Sequence, residues 1–317
     1  MPLDPQAARA LRILAMMPPI DYSSDGTCAR SVLAELPPAP SPFAEGDQVA
    51  AIEDRTIEGP GGPLKLRLYY PLPNAASLPL TLYFHGGGFV FGSPALHDNV
   101  CRCLAKRATS LVVSVDYRLA PEFKFPAPIE DGWATLNWLR GNGTGLRGDP
   151  NRVAVAGDSA GGNIAAAIAQ KARDHGVELK HQVLLYPVTD CSLGTPSYTE
   201  MGNDYYLTRE MMEWFWNQYL PDNNARQHPL ASPYKQKALE RVAPATILTA
   251  EFDPLRDEGE AYGLTLMKAG VPVHMRRWPG QIHGFASMLG VLDAADEALS
   301  WAAGSLHSSF EPADIRS

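Results

Sequence analysis

Two hydrophobic patterns divide the chain. Early on, Leu64, Leu66 and Leu68 alternate with Lys65, Arg67 and Tyr69. Together with the run from Val49 to Ile57 and the turn Gly59-Pro60-Gly61-Gly62-Pro63, they predict an antiparallel pair at a sheet edge. Further on, continuous apolar runs at Leu80 to Phe84, Leu111 to Val115, Arg152 to Ala156, Gln182 to Tyr186, Thr246 to Ala250 and Pro272 to Arg277 read as buried strands. Helical stretches at 96–108, 126–140, 160–174, 257–269 and 292–305 fill most of the gaps. This alternation predicts an α/β fold: a mostly parallel central sheet of about eight strands with helices on both faces.

One gap is too long for a simple crossover. Between Tyr186 and Thr246 lies a predicted helix, Thr208 to Leu220, carrying Trp214, Phe215, Trp216 and Tyr219. An insertion leaving the top edge of a sheet is one way to build a lid. At the N-terminus, Asp4 is a helix cap and Pro5 suits the first turn. Leu11, Leu14 and Met17 share a face before Pro18-Pro19 stops the helix, so residues 5–17 form an amphipathic segment that needs something to cover. Four prolines between Pro37 and Pro42 predict an extended linker.

Composition narrows the function classes. The 27 Lys and Arg residues against 35 Asp and Glu give a net charge of -8, a field that repels nucleic-acid phosphates and anionic lipid surfaces. No apolar run approaches the roughly eighteen residues that a membrane-spanning helix needs. Cys28, Cys101, Cys103 and Cys191 form no C-x-x-C pair, which argues against a zinc site or a disulfide framework. The N-terminal segment, interrupted by Arg9 and Arg12, does not read as a signal peptide, so the expected location is cytoplasmic. A homodimer is left open.

The chemistry centres on Gly157-Asp158-Ser159-Ala160-Gly161, where a strand turns abruptly into a helix. This context makes a G-x-S-x-G match meaningful: the serine sits on a strained elbow, and a side chain at either flanking position would collide with neighbouring backbone. His85-Gly86-Gly87-Gly88-Phe89-Val90-Phe91-Gly92 leaves the third strand where a loop at the top of the sheet belongs. Its three glycines allow close approach of N–H groups to a developing oxyanion. A serine nucleophile needs a base held by a carboxylate, in the chain order Ser, acid, His. Of the later histidines, His274 lies inside the last strand and His307 in the C-terminal tail, whereas His283 follows the turn Trp278-Pro279-Gly280 at the same sheet end as Ser159. The loop after Ala250 offers Glu251, Asp253, Asp257 and Glu258. Asp257 and Glu258 read as solvated acids of a helix's first turn, Asp253 is the first choice, and Glu251 the second.

HGGGFVFG at 85–92, DYRLAPE at 116–122, GDSAGGN at 157–163, YPVTD at 186–190, DPLRDEG at 253–259 and HGF at 283–285 together resemble the hormone-sensitive-lipase-like carboxylesterases of the α/β-hydrolase fold. The resemblance runs from about residue 45 to 300, departing at Phe123 and Lys124, where His-Pro is expected. It implies an esterase that needs no metal or organic cofactor, acting on small-molecule esters of short to medium chain. Ser159, Asp253 and His283 would form its triad, and Gly87, Gly88 and Ala160 its oxyanion donors. It also implies a catalytic domain of residues 46–189 and 230–317 under a discontinuous helical cap of 1–45 and 190–229. Phe89, Phe91, Trp214 and Phe215 are the candidate substrate contacts. Asp116 and Arg118 are expected to be structural, as an ion pair or as loop hydrogen bonds tying down the HGGG loop, and Asp158 to be a positioning residue.

Two other functions fit the same pattern. An amidase or arylformamidase would use the same triad on an amide. Plant gibberellin receptors resemble this family but bind their ligand without hydrolysing it, having lost the triad histidine, whereas His283 is present here.

Overall fold

The apolar runs assemble into one eight-stranded sheet in the order β1-β2-β4-β3-β5-β6-β7-β8. The computed structural model describes residues 2–16, 21–35 and 44–311; Met17, Pro18-Pro19 and the proline-rich stretch 37–42 lie outside them. Helices α1 (Pro5–Leu14) and α2 (Gly26–Glu35) precede the hairpin β1 (Ala51–Gly59) and β2 (Gly62–Tyr70). Then come β3 (Leu78–Phe84), α3 (Asp98–Ala108), β4 (Leu111–Asp116), α4 (Ala127–Asn142), β5 (Gly148–Asp158), α5 (Ala160–Asp174) and β6 (Gln182–Leu185). The insertion holds α6 (Pro196–Glu200) and α7 (Arg209–Tyr219), and the chain closes with β7 (Ala245–Phe252), α8 (Arg256–Lys268), β8 (Val273–Ile282) and α9 (Asp293–Phe310). β1 pairs with β2 and β2 with β4 antiparallel; all other neighbours are parallel.

The sheet is buried on both faces, and the two-residue period of the strands sorts its side chains. Leu80, Leu82, Val113, Val153 and Val155 join a core with Ile129, Leu136, Ile164 and Ile168 from α4 and α5. Their neighbours Tyr83, Val112, Ala154 and Ala156 face a second core with Leu104 of α3 and Leu299 of α9. Among the described residues no helix is long and apolar enough to cross a membrane.

Three local expectations change. The sequence Trp278-Pro279-Gly280, read as a turn beyond the last strand, lies within β8. Between the pairs Ala250–Trp278 and Phe252–Ile282, two steps along β7 match four along β8. Gly280, at φ 71°, absorbs the irregularity, and its N–H donates to Glu251 at 2.7 Å. His307 stands in the last turn of α9 and not in a tail. Asp116 and Arg118 do not pair with each other: Asp116 is exposed, and Arg118 turns to Asp131 on α4. Arg118 donates from its backbone N–H at 2.9 Å and from Nε at 3.0 Å to Asp131, which is 1% exposed, and its guanidinium lies 5.5 Å from the centre of the Phe123 ring. A carboxylate already buried on α4 competes better for the guanidinium than one left in water.

Removing that cation strands a buried charge. Arg118→Met is expected to lower the unfolding free energy by about 3 kcal/mol, read from the midpoint of urea denaturation. A loss below roughly 1 kcal/mol, the scale of a surface pair, would contradict it.

Candidate active site

The nucleophile position is built by steric necessity. β5 ends at Asp158 and α5 begins at Ala160, leaving Ser159 alone to make the turn, at φ 54° and ψ -119°. A Cβ on Gly157 would run into the Gly161 carbonyl, and one on Gly161 into the Phe84 carbonyl. Both flanking positions therefore require glycine, as the sequence pattern implies. The Ser159 N–H donates to Leu185 at 2.9 Å, which ties the elbow to the end of β6.

The His283 and Asp253 side chains reach this serine from the ends of β8 and β7. His283 Nε2 lies 2.9 Å from Ser159 Oγ, and His283 Nδ1 lies 2.7 Å from Asp253 Oδ2. The carboxylate can only accept, so Nδ1 carries the proton and Nε2 is free to accept from the serine hydroxyl. Asp253 is fully buried, and its other oxygen accepts the Leu255 N–H at 2.9 Å. The Tyr186 ring and the imidazole pack in a T-shaped arrangement, 5.0 Å between centres. The other candidate groups are engaged elsewhere or lie away from the serine. Glu251 holds Gly280; Asp257 accepts the Ser197 N–H at 2.8 Å and pairs with Arg256; His274 is exposed on β8, paired in register with Thr246.

Glu258 departs from its reading as a solvated acid. It does sit in the first turn of α8, but it is 2% exposed. Its Oε1 accepts the N–H groups of Thr189 at 2.7 Å and Asp190 at 3.2 Å, fastening the loop after β6 to the helix that follows the Asp253 loop. Burial pushes its carboxyl up to about 8, against the lowering effect of those two amides.

The loop at 85–92 is shaped by its glycines and held down from outside. Gly87 has φ 117° and Gly88 φ 61°; a Cβ on the first would strike the Phe91 carbonyl, and on the second the Phe215 ring. The Tyr117 hydroxyl donates to His85 O at 2.7 Å and the Ala120 N–H to Phe89 O at 2.9 Å. The DYRLAPE stretch thus does secure the loop, through Tyr117 and Ala120 and not through Asp116 or Arg118. Asp158 accepts the Gly86 N–H at 2.8 Å and the Tyr83 hydroxyl at 2.6 Å. Ala160 is fully buried at the first position of α5.

Aromatic side chains roof the loop. Phe91 stacks on Trp214, 5.9 Å between centres, and meets Phe215 edge-on at 6.0 Å. Phe89, in contrast, is fully buried face to face with Tyr219 at 3.9 Å. The N-terminal segment that meets α7 is α2 with the residues just before it, and not α1. Trp214 Nε1 donates to Ser24 O at 3.0 Å, the Gly26 N–H to Gln218 at 3.1 Å, and Arg30 to Val90 O and Ala120 O, each at 2.7 Å. Helix α1 lies instead against β8 and α9: the Asp4 N–H donates to Gly280 O at 3.0 Å, and Gln6 donates to Asp293 at 2.9 Å. Sequence reasoning missed Arg30, Tyr117, Tyr186 and Glu258 as parts of this site. Membership in the quoted motifs was available for all but Arg30, which has no local signal.

Residues 81–287 match the family model described as the α/β hydrolase fold. Carboxylesterase NlhH of Mycobacterium tuberculosis is 40% identical over 301 residues, covering 93% of each chain. A hyperthermophilic esterase from the archaeon Pyrobaculum calidifontis superposes with a TM-score of 0.89 at 41% identity, covering 97% of this chain and 99% of that one. An ester hydrolase from the metagenome of Lake Arreo, solved with a bipyridine phosphonate derivative, gives 0.90 at 36% identity, covering 97% and 99%.

Glu258 provides a test of the buried electrostatics. Its folded value lies above the ordinary 4.5, so the stability it contributes is complete below 4.5 and disappears as pH rises through about 8. Infrared spectra at neutral pH should show a protonated carboxyl band that Glu258→Gln removes. Identical bands in the two proteins would mean that Glu258 is ionised.

Proposed function

Since the chain belongs to the α/β-hydrolase fold family and is a serine carboxylic ester hydrolase, we propose that Ser159, His283 and Asp253 carry its reaction. His283 takes the Ser159 proton through Nε2 as Oγ attacks the ester carbonyl, and Asp253 holds the imidazole in the required tautomer and stabilises its charged form. The amides of Gly87, Gly88 and Ala160 receive the oxyanion, aided by the positive end of α5. His283 then protonates the leaving alcohol, and a water activated by the same imidazole hydrolyses the acyl-enzyme. The observation that carries this reading is the unbroken hydrogen-bonded chain from buried Asp253 through His283 to the strained serine. With all four thiols free, we assign the enzyme to the cytoplasm.

Ser159→Ala should lower kcat on p-nitrophenyl butyrate by about 10⁴ to 10⁶. Asp253→Asn should lower it by about 10³ to 10⁴, and Glu251→Gln far less. Near-normal turnover by the serine variant, or a larger loss from Glu251→Gln with the fold intact, would refute the assignment.

The roof supports a reading of the acyl group that is accepted. Phe215 lies against Gly88 and Phe91 against Trp214, so an acyl group entering beside the oxyanion donors meets aromatic walls. Each methylene that fits gains roughly 1 to 3 kcal/mol of transition-state binding, and a chain that overruns the walls loses it. We therefore expect kcat/KM to peak at short to medium acyl chains, about four to eight carbons by the family resemblance. Phe215→Ala should move the peak to longer chains. An unchanged chain-length profile in that variant would exclude Phe215 from the acyl site.

A further inference from the structure

Beneath the oxyanion loop lies a buried polar cluster that the mechanism above does not use. Its members are His85 and Tyr83 from β3, Tyr117 after β4, Asp158 at the end of β5, Tyr186 after β6, and His97, which caps α3. His97 Nε2 lies 3.4 Å from Asp158 Oδ2, and its Nδ1 lies 3.3 Å from the Ser93 carbonyl oxygen. Both partners can only accept hydrogen bonds, an environment that suits an imidazole carrying a proton on each ring nitrogen. His85 contrasts with it: Nδ1 donates to Gly86 O at 2.8 Å, and its buried Nε2 meets no partner, so one proton suffices.

We infer that His97 is a positioning residue: as an imidazolium it holds the Asp158 carboxylate, and through it the Gly86 amide that orients Gly87 and Gly88. Asp158 Oδ1 binds Gly86 and Tyr83 while Oδ2 faces His97, so the carboxylate is gripped from two sides. The imidazolium also offsets the Asp158 charge, which at the Gly86 amide would otherwise oppose an oxyanion forming at the neighbouring Gly87 and Gly88.

The surrounding groups agree. Burial disfavours the charged form of His97, but the charge and hydrogen bond of Asp158 outweigh it and hold the imidazole above its ordinary 6.5. Burial would raise Asp158, yet His97, Tyr83 and His85 bring it below 3.8. Burial, followed by the His97 charge, lowers His85 to about 3. Burial keeps the tyrosines at 83, 117 and 186 protonated, as it does the Cys101 thiol one turn along α3, and Tyr206 of the insertion, 41% exposed, is also shifted upward. Asp98, next to His97, is turned to Arg102. The stability from His97 is complete below 6.5 and lost as pH rises through its raised value; that from Asp158 is present above 3.8 and lost as pH falls through its lowered one.

The inference rests on the oxyanion role given to the Gly87–Gly88 loop. Its test compares wild type with His97→Gln for kcat and KM on p-nitrophenyl butyrate and for thermal midpoint, each across pH. Expected is a kcat loss of about ten- to a hundredfold with KM little changed, smaller than the roughly 10² to 10³ of losing a donor outright. The wild type should also lose kcat, and lose midpoint relative to the variant, as pH rises above neutrality, and His97→Gln should lack that alkaline fall. Equal kcat, or an alkaline limb retained in the variant, overturns the positioning role. A pH-dependent midpoint difference with kcat unmoved likewise overturns it while sparing the triad, whose own failure would appear as turnover surviving Ser159→Ala. If His97→Gln does not fold, long-range proton–nitrogen spectra of the intact protein at about pH 7.5 decide. Two protons on the His97 imidazole support the inference, and a single proton on it overturns it.

Discussion

The contact between the elbow at Ser159 and the end of β3 governs the site. Gly161 approaches the Phe84 and His85 carbonyls so closely that a single methyl group would separate them. That approach brings the start of α5 beside the loop that leaves β3, and so sets the serine and the glycine amides at one sheet end. A non-glycine residue at φ 54° costs on the order of 1 to 3 kcal/mol. The strain persists because β5 is paired on both sides, with β3 and with β6, and Ser159 N–H is bonded to Leu185.

The buried carboxyl groups around this frame include Asp253, Asp158 and Glu258, and their partners set their behaviour. Asp253 receives one backbone N–H and the His283 imidazole, an arrangement suited to orienting a ring. Asp158 receives a backbone N–H, a phenol and the His97 ring, and stays ionised through that company. Glu258 has two amides on one oxygen, while its other oxygen is unpartnered among the described residues, and burial dominates. The same functional group thus holds an imidazole, anchors a loop, or is pushed toward its protonated form, depending on which donors surround it.

The N-terminal helices divide their work. α1 buries Ala7 and Ala10 in the core shared with α9 and caps the irregular stretch of β8 at Gly280. α2 fits over the glycine loop at 85–92 because Gly26 has no side chain, where a Cβ would collide with Val90 and Pro121. Arg30 then reaches the Val90 and Ala120 carbonyls, and Trp214 bonds the Ser24 carbonyl, so loop, α7 and α2 form one packed unit.

The sequence alone determined the sheet, the elbow, the glycine loop and the order of serine, acid and histidine, because each is a local pattern: strand periodicity, residues that permit positive φ, and chain order. It ranked Asp253 over Glu251 but could not exclude the latter, since both occupy one short loop and only three-dimensional direction separates them. Only the tertiary structure decided that Trp278-Pro279-Gly280 continues a strand, that Arg118 binds Asp131, that Glu258 is buried, and that α2 and not α1 meets the aromatic insertion. Each of these depends on which distant groups compete for a donor or fill a space. Such competition is settled by packing between segments remote in the chain, and no local pattern records it.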